Sequence, residues 1–207
     1  MFGLFRPAAP PAACEVGLAD GSRALLRRLR ADDAERLRTG YILLSEESRR
    51  LRFFDQAREP QLDFLEQLDP KDHVGWGALD AKAPDGVFMG ISRYVRVEPK
   101  SDAAEVAITV LDPWQSRGVG ILLHACLHRC AASNRVRRFF YDVSEDNPRF
   151  LHHLRDLGAR RSPTERHVVR LEMPVYGKSS RVPRDTAAGR RFYEVMRGLE
   201  QAQRLAA

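Results

Sequence analysis

The apolar positions change period several times along the chain, and each change marks an element. Residues 1–20 are rich in Ala and Pro, hold no period, and are expected to form a flexible lead-in. Residues 25–30 alternate weakly, as a strand would, and Ala31-Asp32-Asp33-Ala34 then opens a helix with acids where the helix dipole favours them. Residues 45–54 read as helix or loop and residues 61–68 as a further helix. Residues 73–79 and 87–97 read as two strands of a hairpin, with the turn signal Ala83-Pro-Asp-Gly86 between them. A strand at 105–110 runs through a Gly-rich turn into a helix beginning near Gly118. In that helix Val119, Leu122, Leu123, Cys126, Leu127 and Cys130 share one face. A strand at 138–143, a helix at 147–157 stopped by Gly158 and a strand at 167–173 complete the pattern. After Pro183, Phe192, Val195, Met196 and Leu199 lie at helical spacing in a candidate helix over 185–205.

This order predicts an α/β (α+β) fold in which a central mixed, mostly antiparallel sheet is flanked by helices. The chain divides into the lead-in, a domain over residues 21–175 and a C-terminal tail over 176–207. At 207 residues there is room for one domain of this kind and a tail, and no second regulatory domain is expected.

Composition narrows the class. Hydrophobic residues are 43% and charged residues 30%, a soluble globular balance, and no apolar run reaches the ~20 residues that span a bilayer. The first residues lack a signal-peptide pattern, so a cytoplasmic location and no membrane partner are expected. Cys14, Cys126 and Cys130 are odd in number and read as free thiols. The net charge is +6, but from Tyr176 onward seven cations face three acids, so the tail carries +4 and the domain only +2. That is too mild to make a nucleic-acid face the first expectation.

The candidate chemistry lies in Gln115-Ser-Arg-Gly118-Val-Gly120. Glycines between a strand and a helix let backbone approach a ligand, and the first helical N–H groups lack internal partners, so the turn can cradle a pyrophosphate, with Arg117 as an added cation. A tight strand-to-helix turn would use the same glycines. It is neither a Walker loop nor a dinucleotide fingerprint. Strand alternation puts Glu105, Ala107 and Thr109 on one face and Val106, Ile108 and Val110 on the other. A carboxylate in a central strand needs a partner or a task, so Glu105 is either a salt-bridged structural residue or a general base. His124, Cys126, His128 and Cys130 alternate around a helix and cannot close one tetrahedral site; buried thiols beside a polar His flank are expected, and no metal.

The run Ala104-Glu-Val-Ala-Ile-Thr-Val-Leu-Asp-Pro-Trp-Gln-Ser-Arg-Gly-Val-Gly120 resembles the acetyl-CoA-binding motif of the GNAT superfamily of N-acetyltransferases, most of all its bacterial protein-lysine acetyltransferase branch. Leu44-Ser-Glu-Glu-Ser-Arg-Arg-Leu-Arg-Phe-Phe54, Asp72-His-Val-Gly-Trp-Gly-Ala-Leu79 and Asn147 before Gly158 match as well, over residues 25–174. The resemblance implies acetyl-CoA as co-substrate and transfer of its acetyl group to a primary amine, in a domain often fused to a nucleotide-sensing or acyl-CoA-synthetase module. It further implies that Thr109 and Val110 border the pantetheine arm, that Gln115, Ser116, Arg117, Gly118, Val119 and Gly120 hold the pyrophosphate, that Asn147 sits near the thioester, and that Glu105 is the general base. Asn147 also suits a helix cap alone. The branch's tyrosine, which protonates the departing thiolate, falls at Leu154. The thiolate then leaves unaided, or Tyr141, His152 or His153 substitutes. Three functions stay open: an acetyltransferase for protein lysine or another amine, one for a small metabolite, and a catalytically silent acyl-CoA sensor or nucleic-acid-associated adaptor that uses the basic tail. The tail's apolar stripe would dock on the domain or on a second subunit, as in a homodimer.

Overall fold

The computed structural model describes residues 13–18, 20–54, 62–162 and 168–205, the last without the Leu205 side chain. Alternating segments become the strands β1 (Ala13–Gly17), β2 (Arg23–Arg28), β3 (His73–Asp80), β4 (Gly90–Arg96), β5 (Ala103–Val110), β6 (Arg138–Ser144), β7 (Arg160–Arg161) and β8 (Val168–Pro174). Periodic segments become α1 (Ala34–Leu43), α2 (Glu46–Phe53), α3 (Val119–Ser133), α4 (Pro148–Asp156) and α5 (Ala187–Leu205). The strands form one sheet in the order β1-β2-β3-β4-β5-β6-β8-β7, in which every pairing is antiparallel except β5 with β6. The mixed, mostly antiparallel sheet expected from the sequence is therefore present.

Two apolar clusters cover the two faces. The larger joins α3 and α5 to the sheet through Trp76, Tyr94, Leu123, Phe139, Tyr141 and Phe192, and the smaller holds Leu29, Leu37, Leu65, Leu79 and Phe88. Helix α5 is a structural layer: Phe192 and Met196 are fully buried and Leu199 nearly so. Each such side chain contributes about 1.5–3 kcal/mol by leaving water. The tail's stripe thus docks on its own domain.

Three expectations need correction. Residues 13–17, read as part of a lead-in without regular structure, pair antiparallel with β2 in register Ala13↔Arg27 to Gly17↔Arg23. The rest of that lead-in, residues 1–12 and 19, lies outside the described residues. The helix expected over 61–68 is, where described, one 3₁₀ turn at Asp63–Leu65. The histidines of α3 are no solvated flank: His124 and His128 are fully buried, because α5 and β6 cover the side of α3 that a free amphipathic helix would leave wet. No helix among the described residues is long and apolar enough to cross a membrane.

Candidate functional site

Strands β5 and β6 run parallel for three register pairs only, Ala103↔Arg138, Ala104↔Phe139 and Glu105↔Phe140, and then part. Beyond Glu105, β5 stays paired with β4, while β6 stays paired with β8. The opening is the floor of a cleft of about 590 Å³. The antiparallel ladder fixes which backbone groups face it. Leu111 N donates to Met89 O at 2.9 Å, and hydrogen-bonded and non-hydrogen-bonded pairs alternate from there. Thr109, Ala107 and Glu105 therefore pair with β4, and the N–H and C=O groups of Val110, Ile108 and Val106 point into the opening. A ligand with amide groups can add to this edge as a strand would.

At the outer end stands the glycine turn. Gly118, at φ 101°, sits in a left-handed conformation that an L-residue adopts only under strain, and it caps α3. The first helical bond there is Leu122 N to Gly118 O, so the amides of Val119, Gly120 and Ile121 have no intrahelical acceptor. An anion fits at this end. Gly120 lines the cleft, and a Cβ built on it would lie 3.5 Å from Val110 Cγ2.

The side chains of the motif divide. Thr109, Val110, Gln115, Ser116, Gly118, Gly120 and Asn147 line the cleft; Arg117, Val119 and Glu105 do not. Val119 is buried in the core, so only its amide faces the helix start. Arg117 turns away: its guanidinium lies over the Trp114 ring at 4.9 Å and 3.5 Å from Asp20. The cations that do line the cleft, and that the motif did not flag, are Arg149, Arg191 and Arg52. Arg149 follows Asn147 by two residues and donates to Ser116 Oγ at 3.0 Å. Arg191 comes from α5, so the tail contributes to the cleft wall.

Gln115 donates through Nε2 to Val110 O and to Ser48 Oγ, each at 3.2 Å. Asp112 accepts from Ser45 N at 3.0 Å, Ser45 Oγ at 2.7 Å and Ser48 Oγ at 2.8 Å. Burial alone would raise the Asp112 carboxyl; these hydrogen bonds outweigh it and hold the group below the usual aspartate range. The network fastens the start of α2 to the β5–α3 turn, which is how residues 64 to 67 positions apart build one wall. Asn147 caps α4, its side chain accepting from Phe150 N at 3.1 Å. Capping and lining the cleft are thus compatible.

Glu105 stands where the two strands begin to part, with its side chain 57% exposed. Its Oε1 is 3.5 Å from Arg170 Nη2, but Arg170 is committed to Asp142 by contacts of 2.7 and 2.5 Å. The carboxylate is therefore accessible and only loosely engaged.

At the inner end Tyr141, His124 and His153 line the cleft, while His152 is exposed and does not. Tyr176 N donates to His128 Nδ1 at 2.9 Å, so neutral His128 carries its proton on Nε2, which meets His124 Nε2 at 3.2 Å. His124 must then hold its proton on Nδ1, which is buried without a partner among the described residues, and its one Nε2 lone pair is shared between His128 and the Tyr141 hydroxyl 2.6 Å away. Burial pushes the Tyr141 phenol up, while burial and the neighbouring His153 pull His128 down to about 3, so the chain is neutral throughout. Leu154 is fully buried in the core.

A model of the acetyltransferase (GNAT) domain matches residues 23–160. The acetyltransferase Pat of Mycolicibacterium smegmatis is 33% identical over 135 residues, 64% of this chain and 40% of that protein, so the match spans well under half of the relative's length. An acetyltransferase of Pseudomonas aeruginosa is 31% identical over 126 residues, 59% of this chain and 67% of its own. The solved GNAT domain of S. lividans PAT superposes with a TM-score of 0.72 at 31% identity, covering 81% of this chain and 99% of that one. A parted pair of parallel strands, a glycine turn feeding a helix, and a family match across both together place this chain in the GNAT acetyltransferase family.

Proposed function

We propose that this protein transfers the acetyl group of acetyl-CoA to a primary amine by direct attack, with Glu105 as general base. The observation that carries the reading is the parting of β5 and β6 directly after Glu105, which sets a ligand-binding strand edge and an anion-binding helix start in one cleft, with an accessible, loosely paired carboxylate at the point where the strands part. The pantetheine arm would pair with the backbone groups of Ile108 and Val110. The pyrophosphate would rest on the amides from Ser116 to Gly120, beside Arg149 and Arg191 rather than Arg117.

An amine near its reference pKa of about 10.4 is protonated at neutral pH and cannot attack a thioester. Glu105, exposed and weakly paired, takes that proton as the nitrogen attacks the carbonyl carbon. The backbone N–H of Val110 or Ile108 can donate to the developing oxyanion. The C–S bond then breaks and the thiolate departs. Tyr141 already donates its proton to His124, and its raised pKa makes it a poor acid toward a thiolate, whose own conjugate pKa is about 8.5. Departure without a dedicated protein acid fits that chemistry. Acetyl-CoA offered with a panel of lysine peptides, polyamines and amino acids, read by free-thiol release above hydrolysis, tests the reading. Release that no amine accelerates would overturn it and favour a silent acyl-CoA binder.

A further inference from the structure

On the face of β5 that carries Glu105, a second cavity of about 90 Å³ lies beneath α1 and α2. It shares Arg52, Ala107 and Thr109 with the large cleft and adds Arg93 and Phe64. Arg52 Nε donates to Thr109 Oγ1 at 3.1 Å. Arg93 lies over the Phe64 ring at 4.5 Å, with Nη1 3.4 Å from His73 Nε2. Among the described residues neither guanidinium is ion-paired. Arg27, Arg96 and Arg129, whose side chains are also largely out of solvent, each face a carboxylate: Asp33, Asp72 and Glu200. Two half-buried arginines that share a cavity whose described lining holds no acid, with only Glu105 acting on Arg93 from outside it, are an unfavourable arrangement in the free protein. The strain shows in Arg52, which burial and the neighbouring Arg93 pull down to about 10.

The arrangement makes sense if the acceptor brings the missing negative charge. Building on the reading of Glu105 as base, we infer that Arg52 and Arg93 form an anion pocket for the acceptor, so that the favoured amine carries a carboxylate at a fixed spacing from its nitrogen. Arg93 pairs in register with Ala107, two residues from Glu105 along the same face, and Arg52 sits at Thr109, two further on. The strand rise sets these steps at about 7 and 13 Å. A chain of about five methylenes bridges the nearer one. Planar guanidinium forks match a carboxylate, and Thr109 Oγ can join them as a neutral donor.

The test compares the amine acceptors γ-aminobutyrate and ε-aminocaproate with their uncharged amides, and a lysine peptide bearing an adjacent glutamate with its glutamine counterpart. Charge-assisted bonding predicts kcat/KM about 10–100-fold higher for the carboxylate form. In the Arg52→Gln and Arg93→Gln variants that ratio falls to about one. Preference confined to the amino acids assigns a small-molecule acceptor, and preference confined to the peptide assigns a protein one. Calorimetry with N-acetyl-ε-aminocaproate and its amide reads the pocket without turnover and separates the two readings. If no amine is acetylated but the carboxylate still binds tighter, the transfer reading fails while the pocket stands. Equal affinity for acid and amide in the wild type, with folding confirmed by circular dichroism, overturns the pocket whatever the assay shows.

Discussion

Replacing Glu105 by Gln keeps the size and polarity of the side chain and removes only its capacity to accept a proton. The Arg170 contact is too long and shared to hold the fold, since Arg170 keeps both oxygens of Asp142. Folding and acetyl-CoA affinity should therefore be near wild type. The size of the rate loss follows from acid–base arithmetic. An amine of pKa about 10.4 is neutral in about one molecule per thousand at a pH three units lower, so a variant that must wait for neutral amine loses up to about 10³-fold, or about 4 kcal/mol. Two pH units higher the neutral fraction is about one in ten, and the deficit should shrink to about 10-fold. The range agrees with the 10²–10⁴-fold typical of a lost general base. Free-thiol release measured across this pH span with a verified acceptor gives both numbers. A deficit that stays constant with pH, or wild-type turnover at neutral pH, refutes the role and leaves Glu105 as a surface carboxylate.

Other outcomes follow from the same structure. Gly120→Glu places a side chain and a negative charge in the anion end of the cleft, so calorimetry should show acetyl-CoA binding lost while the far-ultraviolet spectrum is retained. Phe192→Ala should cost about 3–5 kcal/mol in urea unfolding, since the ring is fully buried against α3; a loss under 1 kcal/mol would mean that α5 is dispensable. Asp33→Asn removes the charge and one of the two acceptor oxygens from a buried bidentate pair with Arg27, at 2.6 and 2.8 Å, leaves that guanidinium without a counter-charge, and should cost about 3–5 kcal/mol near pH 7. Burial raises Asp33, but Arg27 and the Arg30 amide more than reverse it, so its folded pKa lies below the unfolded value. Its contribution is complete above about pH 3.9 and is lost as pH falls through the lower folded value, so the gap between wild type and variant should close only in acid.

What could be read from the sequence was whatever is locally determined. The strand–turn–helix around Gly118 and the buried stripe of α3 announce themselves in spacing, and both stand as expected. The destination of Arg117 was not legible, because Trp114 and Asp20 reach it from different parts of the chain. Nor was the depth of His124 and His128: a helix alone shows an apolar stripe, and its other side is closed only in the fold, by β6 and by α5 more than sixty residues later. Strand β1 is five residues with one face half-exposed, too short and too mixed in pattern to stand out from the Ala/Pro run before it. Arg149 was within reach, since it sits in the first turn of the helix that Asn147 caps. Arg52 and Arg93 had no such signal; what sets them apart is that no carboxylate among the described residues pairs with either, which only the fold defines.

The half-paired β5 has a consequence for how the resting protein breathes. Along this one strand, the amides of Ala107 and Thr109 are bonded to β4, while those of Ile108 and Val110 look into the opening. Protection from solvent deuterium should accordingly alternate residue by residue, slow then fast, in a strand that lies at the centre of the sheet rather than at its rim. The sheet is in effect two plates, β1–β5 and β6–β8, tacked together by three register pairs and by α3, which lies on β3 to β5 and reaches β6 through His124 against Tyr141 and His128 against Phe139.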